Sequence, residues 1–223
     1  MTERGMIFNA EMVRALLSGR KTQTRRPVKF PVRDKNFGCE LAGNELAGEL
    51  SAGNYLNSAY GKPGDHIWVR ETFSCIGNED GHPVDAKGNL CTREEAQRIY
   101  RASAIQKPNN YGLWSSPDGF DFEGAWTPSI HMPRWASRIL LEITEVRIER
   151  LREISQADAE AEGVGKLKKG FWKNYQPGWT EFQLTARGSF ATLWKSIYGD
   201  ESWYADPWVW VIEFKRIEEV RGA

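Results

Sequence analysis

Apolar residues at helical spacing mark the beginning of the chain. Asn9 is suited to cap a helix, and the apolar positions that follow form one stripe: Met12, Val13, Leu16 and Leu17. Gly19 stands where helices commonly end in a left-handed conformation. The pattern predicts a short amphipathic helix that ends just before Gly19.

Alternating and β-branched residues predict three longer strands, at residues 66–73, 139–147 and 208–217. In the first, a Pro63-Gly64-Asp65 turn leads into a segment whose alternate residues share one side: Ile67, Val69, Glu71 and Phe73. Glu71 is therefore expected among apolar neighbours. The last segment begins with apolar residues on both faces, which is typical of a strand buried on both sides.

Two polar segments interrupt these elements, at residues 28–60 and 74–127. The first has weak periodicity and is expected to be a loop-rich excursion or a poorly packed flap. The second contains a short helix candidate, Thr92–Tyr100, where Thr92 and Glu95 suit a capping box. It also contains four aromatic residues, which we expect to pack under loops as a small cluster in preference to stacking on bases: Trp114, Phe120, Phe122 and Trp126.

A short helix is predicted before Gly163, with Ser155 and Asp158 suited to its N-cap. Glu162 then falls in the last turn, where a carboxylate opposes the helix dipole by about 0.3–1 kcal/mol. Helix stability therefore does not explain this glutamate. It is either a solvated helix-end residue or a group that handles a proton.

Further helical segments are predicted towards the C-terminus. Thr180-x-x-Gln183 and Ser189 are expected to open them. The segment after Ser189 has an apolar stripe that is expected to be core: Phe190, Leu193, Trp194 and Ile197.

The composition is that of a globular chain without a global charge. Of its 223 residues, 40% are hydrophobic, which is enough for a packed core. Lys plus Arg equal Asp plus Glu at 30 each, so no basic field covers the chain. Any contact with nucleic acid would therefore be local.

Cysteine and histidine are few and scattered. Three cysteines without a Cys-x-x-Cys pair argue against a disulfide framework and a zinc site, and favour the reducing cytoplasm. The three histidines lack an i,i+4 partner, so we expect no metal and no cofactor. The sequence has no apolar leader and no run of membrane-spanning length, so we expect neither secretion nor membrane insertion.

The segment Ser18–Arg26 is the densest group of cationic and hydroxyl side chains. Gly19 and Pro27 bound it, and Pro27 biases Arg26 towards extended geometry. Basic residues after a helix are commonly solvated. Each stabilises the negative end of the helix by about 0.3–1 kcal/mol, so such a run can be explained without a ligand. The alternative is that this short turn presents several polar side chains to one pocket.

The spacing Gly-x-Lys-x-x-x-x-Arg, at Gly19, Lys21 and Arg26, resembles the motif of ASCH domains. A closer likeness within that superfamily is to the small bacterial N4-acetylcytidine amidohydrolases, which have a Gly-Arg-Lys-Thr-x-Thr-x-Arg run. With Phe8–Pro27, which holds this run, three further stretches extend the resemblance: Pro63–Phe73, Ile139–Val164 and Trp208–Ile217. The two polar segments lie outside it and are expected to wall or cover the site.

The resemblance implies an α+β fold built around a small PUA-like β-barrel, as one domain over residues 1–223 with insertions at about 28–60 and 74–127. It implies a catalytic triad of Lys21, Thr24 and Glu162. Where the family has His-Ala-Glu-x-Glu before the last of these, this chain has Asp158 in place of the histidine. The candidate substrate-binding residues are Phe8, Arg25, Arg26 and Glu71.

The implied activity is hydrolysis, without a metal, of the exocyclic amide of N4-acylated cytosine or cytidine. In one version Lys21, with a pKa lowered by burial and by nearby arginines, takes the proton of Thr24, which attacks the acyl carbon, and Glu162 handles the remaining proton. In the other, Glu162 activates water, Lys21 stabilises the oxyanion and Thr24 only orients. In a regular strand Lys21 and Thr24 would point to opposite faces, so a shared site requires a turn or bulge between them.

Two other classes of function remain open from the sequence. A PUA-like module that binds RNA or a modified base without catalysis would use Lys21 and Arg26 for phosphates. An accessory protein would use the tryptophan-rich insertions to bind another protein. The balanced charge favours a small nucleoside or base as the partner over RNA.

Overall fold

Short helices alternate with small β-sheets in this chain, of which the computed structural model describes residues 1–178 and 181–217. The helices are α1 (Ala10–Leu17), α2 (Gly43–Ser51), α3 (Gln156–Ala161), α4 (Ala186–Tyr198) and α5 (Glu201–Tyr204). Short 3-10 helices lie at Ser129–His131, Arg134–Ala136, Leu151–Glu153 and Lys168–Gly170. The strands are β1 (Glu3–Ile7), β2 (Gln23–Pro27), β3 (Val32–Arg33), β4 (Glu40–Leu41), β5 (His66–Arg70), β6 (Phe73–Cys75), β7 (Arg98–Tyr100), β8 (Ile105–Gln106), β9 (Leu113–Ser115), β10 (Asp121–Glu123), β11 (Leu140–Arg150), β12 (Trp172–Lys173), β13 (Phe182–Gln183) and β14 (Trp208–Ile217).

The chain divides into two compact units. The first unit contains Met1–Thr2, Ala15–His66 and Glu142–Arg216. The second unit contains Glu3–Arg14 and Ile67–Leu141, together with Ile217. The insertion at 28–60 thus lies within the first unit and that at 74–127 within the second, and the assignment of all 223 residues to one domain stays a prediction.

In the first unit, β14 lies between β11 and β2. β14 and β2 are antiparallel, and their register places Val211 opposite Arg25 and Ile212 opposite Thr24. The central part of β14 is buried, as expected for a strand that is apolar on both faces: Val209, Trp210, Val211, Ile212 and Phe214. This pairing fixes the basic run beside a strand whose central part is buried.

The helices of the first unit complete its core. α3 packs against α4. Their apolar faces join residues of β14 in one cluster, which includes Ile154, Ala159, Val164, Phe190, Trp194, Val209 and Val211. The end of α3 is thereby anchored by packing.

The second unit contains several small sheets. β1 pairs with β5, β6 with β7, and β9 lies between β8 and β10. The four aromatic residues of the insertion pack in a cluster with Ile76, Val84 and Ile99, which confirms the expected packing under loops: Trp114, Phe120, Phe122 and Trp126.

The structure confirms the α+β class. Among the described residues the strands do not close into a barrel, so the PUA-like barrel stays a prediction. The helix before Gly19 and the helix before Gly163 are confirmed as α1 and α3. All three longer strands are present, although the first is broken between Arg70 and Phe73.

The prediction of a loop-rich excursion at 28–60 was wrong for Gly43–Ser51, which forms α2. Two glycines lower the helix propensity of this segment, so its pattern is weak. Leu46 and Leu50, four residues apart, are nevertheless buried and hold the helix to the core.

The prediction of a helix at Thr92–Tyr100 was also wrong. The Thr92 N–H does donate to the Glu95 carboxylate at 3.2 Å, as a capping box requires. The residues that follow instead form β7, which pairs with β6 and places Tyr100 opposite Phe73. Tertiary pairing therefore overrides the local preference.

The start of the last long helix was misplaced as well. α4 begins at Ala186, and its cap is Thr185, whose hydroxyl oxygen accepts from the Gly188 N–H at 3.0 Å. Gln183 lies in β13, Thr180 lies outside the described residues, and Ile197 is 44% exposed. The rest of the predicted stripe is buried: Phe190, Leu193 and Trp194.

Candidate active site

The turn after α1 places Lys21 at the end of α3. Gly19 adopts φ 74°, and the Lys21 N–H reaches back to donate to the Ala15 carbonyl at 3.1 Å. The Thr22 N–H then donates to the Ala161 carbonyl at 2.8 Å, which ties the turn to the last residue of α3. A basic segment and a helix distant in sequence are thereby joined through their backbones.

Glu162 is held by the way α3 begins and ends. The Ser155 hydroxyl oxygen accepts from the Asp158 N–H at 3.0 Å at the N-cap. At the other end the Glu162 N–H donates to the Asp158 carbonyl at 2.8 Å, and Gly163 adopts φ 84°. The glutamate that the sequence places in the last turn is thus the C-cap residue of α3.

Lys21 and Glu162 form a buried ion pair. The Lys21 Nζ donates to the Glu162 Oε2 at 2.9 Å and to the Glu162 carbonyl oxygen at 2.9 Å. The two side chains are 0% and 3% exposed. Burial lowers the pKa of Lys21, and the carboxylate of Glu162 opposes that shift. The structure thus brings together two of the three predicted catalytic residues.

Arg25 provides a second cation on the same carboxylate. Its Nη1 donates to the Glu162 Oε1 at 3.3 Å, and its Nη2 donates to the Glu149 Oε2 at 2.9 Å. The Arg25 side chain is fully buried. Lys21 and Arg25 therefore each engage one oxygen of Glu162.

A more exposed group of charges continues outward from Arg25. Arg147 on β11 forms ion pairs with Glu149 at 2.5 Å and with Asp158 at 3.5 Å, and it also contacts Glu213. Arg147 and Glu149 were missed in the sequence analysis. The signal that could have identified them is the row of charged residues at alternate positions along β11. The same row also fits a strand face that is exposed to solvent.

Thr24 is buried, with 1% exposure, but its side chain does not point towards the Lys21–Glu162 ion pair. It is next to Arg25 in β2, so its side chain leaves the opposite face of the strand. Lys21 precedes the strand, which begins at Gln23, so the turn that was expected between Lys21 and Thr24 is present. It is Lys21 and Arg25, however, that meet at one carboxylate. Neither Lys21 nor Glu162 forms a hydrogen bond with the Thr24 hydroxyl within the described residues.

The four predicted substrate-binding residues fall into two groups. Arg25 lies in the ion-pair site, and Arg26 is half-buried in β2 opposite Trp210. Phe8 and Glu71 belong to the second unit, where they line the same cavity of about 270 Å³. Arg26 is close enough for its charge to contribute to the lowered pKa of Lys21.

Glu71 is neutralised within the second unit. Both of its oxygens accept from Arg138, at 2.8 Å from Nε and 3.0 Å from Nη2. The Glu71 side chain is 2% exposed, as its place on an apolar strand face predicts. Its charge is therefore satisfied by protein and is not available to a ligand.

Metal-binding clusters and membrane-spanning helices were both sought in the described part of the chain. It contains no group of three or more His, Cys, Asp and Glu side chains that could hold a metal ion. No helix in it combines the length and the apolar character needed to cross a bilayer.

Comparison of the chain with family models, with curated proteins and with solved structures found no match.

Proposed function

We propose that this chain is a metal-independent amidohydrolase that removes the acyl group from N4-acylated cytosine or cytidine. The observation that supports the proposal best is the Lys21–Glu162 contact of 2.9 Å. The two residues lie 141 positions apart, in two separate stretches that resemble the amidohydrolases. Their meeting is what a shared catalytic site requires.

The geometry favours Glu162 as the base that activates water. Two cations orient its carboxylate, and the water that loses its proton to Glu162 adds to the acyl carbon. Lys21 donates to the oxyanion that forms on the acyl oxygen. The C–N bond then breaks and the proton passes from Glu162 to the departing amine. The products are the free cytosine amine and a carboxylic acid, which releases its remaining proton to solvent as a carboxylate.

Thr24 has an orienting role in this scheme. Its side chain leaves the strand face opposite Arg25, and nucleophilic attack would require a base within hydrogen-bonding distance of its hydroxyl. Lys21 instead donates to two oxygens of Glu162. The version in which Thr24 is the nucleophile therefore has less support than the water version.

The proposal also includes a fold and a cellular compartment. We infer a PUA-like arrangement of the strands from the motifs in β2, β5 and β14. The cytoplasm is the expected compartment, because the three cysteines are free thiols and a reducing environment keeps them so: Cys39, Cys75 and Cys91.

A PUA-like module that binds RNA or a modified base is the second candidate. The full burial of Lys21 and the near-complete burial of Glu162 favour it, since such a pair can serve the fold alone. In that case Lys21 and Glu162 would be structural, and Arg26 would contact a phosphate.

Turnover of N4-acetylcytidine, followed by ultraviolet absorbance, separates these functions. We expect Glu162→Gln to lower kcat by about 10²–10⁴-fold, because an amide cannot accept the proton of water. Glu160→Gln is the matched control, since Glu160 is an exposed carboxylate on the same helix, and it should retain wild-type turnover. Full activity of a folded Glu162→Gln protein would exclude the proposed base.

A further inference from the structure

A cavity of about 270 Å³ in the second unit has the composition of a ligand site. Apolar side chains line part of it, among them Ile7 and Phe8, and polar groups line the rest, among them Thr72 and Ser129. Ligand sites commonly combine a mainly apolar wall with a few placed polar groups. Arg101, which the sequence analysis did not single out, also lines this cavity.

Arg101 is a cation without a counter-ion. Among the described residues its guanidinium forms no hydrogen bond and no ion pair, and its Nη1 is buried without an acceptor. The other charged residue of the lining is Glu71, whose two oxygens are both taken by Arg138. The cavity therefore has an uncompensated positive charge, which is unusual for a partly buried arginine.

Packing holds Arg101 in place. Its guanidinium carbon lies 3.3 Å from the centroid of the Trp114 ring and 5.4 Å from that of Trp126. Its backbone N–H donates to the Thr72 carbonyl at 2.9 Å. Burial also lowers the pKa of this guanidinium, as expected for a cation removed from water without a partner. The free donors are therefore fixed before any ligand arrives, which reduces the entropy cost of binding.

Two further arginines add positive charge beside the cavity. The Arg14 Nη1 donates to the Ala102 carbonyl at 3.2 Å, and the Arg70 Nε donates to the Ser129 carbonyl at 3.1 Å. Ala102 and Ser129 both line the cavity. The surroundings of Arg101 therefore favour a negatively charged group over a neutral one.

We propose that this cavity binds a small molecule through an oxyanion group, a carboxylate or a phosphate, held by Arg101. Arginine recognises both groups because its planar donors match their oxygens. Phe8 and the other apolar residues of the lining contact the body of the ligand. Phe8 and Glu71 of the lining are also candidate substrate-binding residues of the proposed hydrolase, but Arg101 belongs to the insertion at 74–127, so its binding of an anion does not depend on the proposed hydrolysis.

Calorimetric titration at low ionic strength tests the site, with sodium acetate, inorganic phosphate, cytidine monophosphate and cytidine as probes. We expect at least one anionic probe to bind the wild type, and Arg101→Gln to weaken it by about 10-fold or more. Cytidine, which has no charge, should bind both proteins equally. Binding of acetate alone assigns a carboxylate ligand, and binding of the two phosphate compounds alone assigns a phosphate ligand.

Arg98→Gln is the matched control. Arg98 belongs to the same insertion, lies 5.3 Å from the centroid of the Trp135 ring and also has a buried nitrogen without an acceptor, but does not line this cavity. It should leave anion affinity within about twofold of the wild type. Equal losses in the two variants, or anion binding that Arg101→Gln does not weaken, would overturn the proposal.

Arg101→Lys separates recognition from folding. It keeps the charge, so it should recover part of the affinity that Arg101→Gln loses, while near-ultraviolet circular dichroism reports whether the tryptophan cluster is intact. A folded Arg101→Lys protein that binds anions no better than Arg101→Gln would contradict recognition by charge. These measurements do not involve turnover, so their results can be interpreted even if the amidohydrolase proposal fails.

Discussion

At Gly163 the end of α3 and the Lys21 turn come into direct contact. A Cβ atom at this position would lie 2.8 Å from the Lys21 Cβ and 2.9 Å from the Ala15 Cβ. Gly163 also adopts φ 84°, a conformation that L side chains rarely take. The ion pair can form at its observed distance because this residue has no side chain.

Gly163→Ala is expected to damage both stability and turnover. Gly170→Ala is the matched control, because Gly170 has the same φ of 84° but open space around it. Both variants incur the backbone cost of about 1–2 kcal/mol, and the clash at Gly163 adds about 1–3 kcal/mol. Urea unfolding measures the difference between them. Equal losses of unfolding free energy would show that the close approach to Lys21 does not matter.

The pH dependence of kcat distinguishes the two roles of Lys21. Burial lowers its pKa below 10.5, so its proton is lost at a lower pH than in an exposed lysine. As the oxyanion donor Lys21 must be protonated, and kcat should therefore fall as pH rises through that lowered pKa. We expect this descending limb in the turnover of N4-acetylcytidine, after subtraction of hydrolysis without enzyme. A kcat that rises over the same range would instead assign Lys21 as the base for Thr24.

Only part of the site could be predicted from single residues. Lys21 and Glu162 stand in motifs whose spacing resembles a known family, and the structure joins them. Arg25 was expected to bind substrate, which stays a prediction. Its contact with Glu162 was not foreseen, because strand alternation decides which of two neighbouring arginines faces α3. Arg101 was missed because its unpaired state depends on residues distant in sequence, which no local pattern reveals.

At the scale of elements, the ion pair joins the segment before β2 to the end of α3. The Thr22 N–H and the Lys21 side chain both bond to this end, at Ala161 and Glu162. Since both charged side chains are almost fully buried, removal of Glu162 leaves Lys21 without a carboxylate, whereas removal of Lys21 leaves Arg25 as the remaining cation on Glu162. The pair therefore contributes to the docking of α3 as well as to the proposed chemistry.

Glu162→Leu is expected to lower the free energy of unfolding by about 3–5 kcal/mol, because it leaves Lys21 buried without a carboxylate. Lys21→Met should cost less, because Arg25 still contacts Glu162. The double variant Lys21→Met with Glu162→Leu should lose less than the sum of the single variants, since it removes both charges. Turnover should be lost in all three proteins. Denaturant unfolding measures the coupling, and purely additive losses would contradict an energetically significant pair.

Elements with strong periodicity in the sequence could be predicted, whereas elements with weak periodicity are determined by tertiary contacts. The stripe of α1 and the apolar run of β14 are local patterns, and both elements are present. α2 begins at Gly43, where a Cβ would lie 2.3 Å from the Trp208 ring, so packing selects a residue that lowers helix propensity. Arg98–Tyr100 became a strand for the similar reason that it pairs with β6.

For the whole molecule, a net charge of zero conceals a local arrangement. In the first unit, acidic residues surround Arg25 and Arg147 and compensate them. In the second unit, Arg101 has no such compensation within the described residues. Composition could exclude a global basic field, but it could not indicate where a single unpaired cation lies.

The separation of 141 residues between Lys21 and Glu162 has a consequence for how activity is acquired during folding. α1 and α3 close over a few residues each, whereas the contact between the two stretches must close a long loop and is formed among the slower, non-local steps. We therefore expect turnover to return no earlier than the slowest phase of burial after dilution from urea, and later than the far-ultraviolet signal of the helices. Stopped-flow circular dichroism and an activity assay at matched times compare the two. Activity that returned together with the first helical signal would mean that the pair is not required for catalysis.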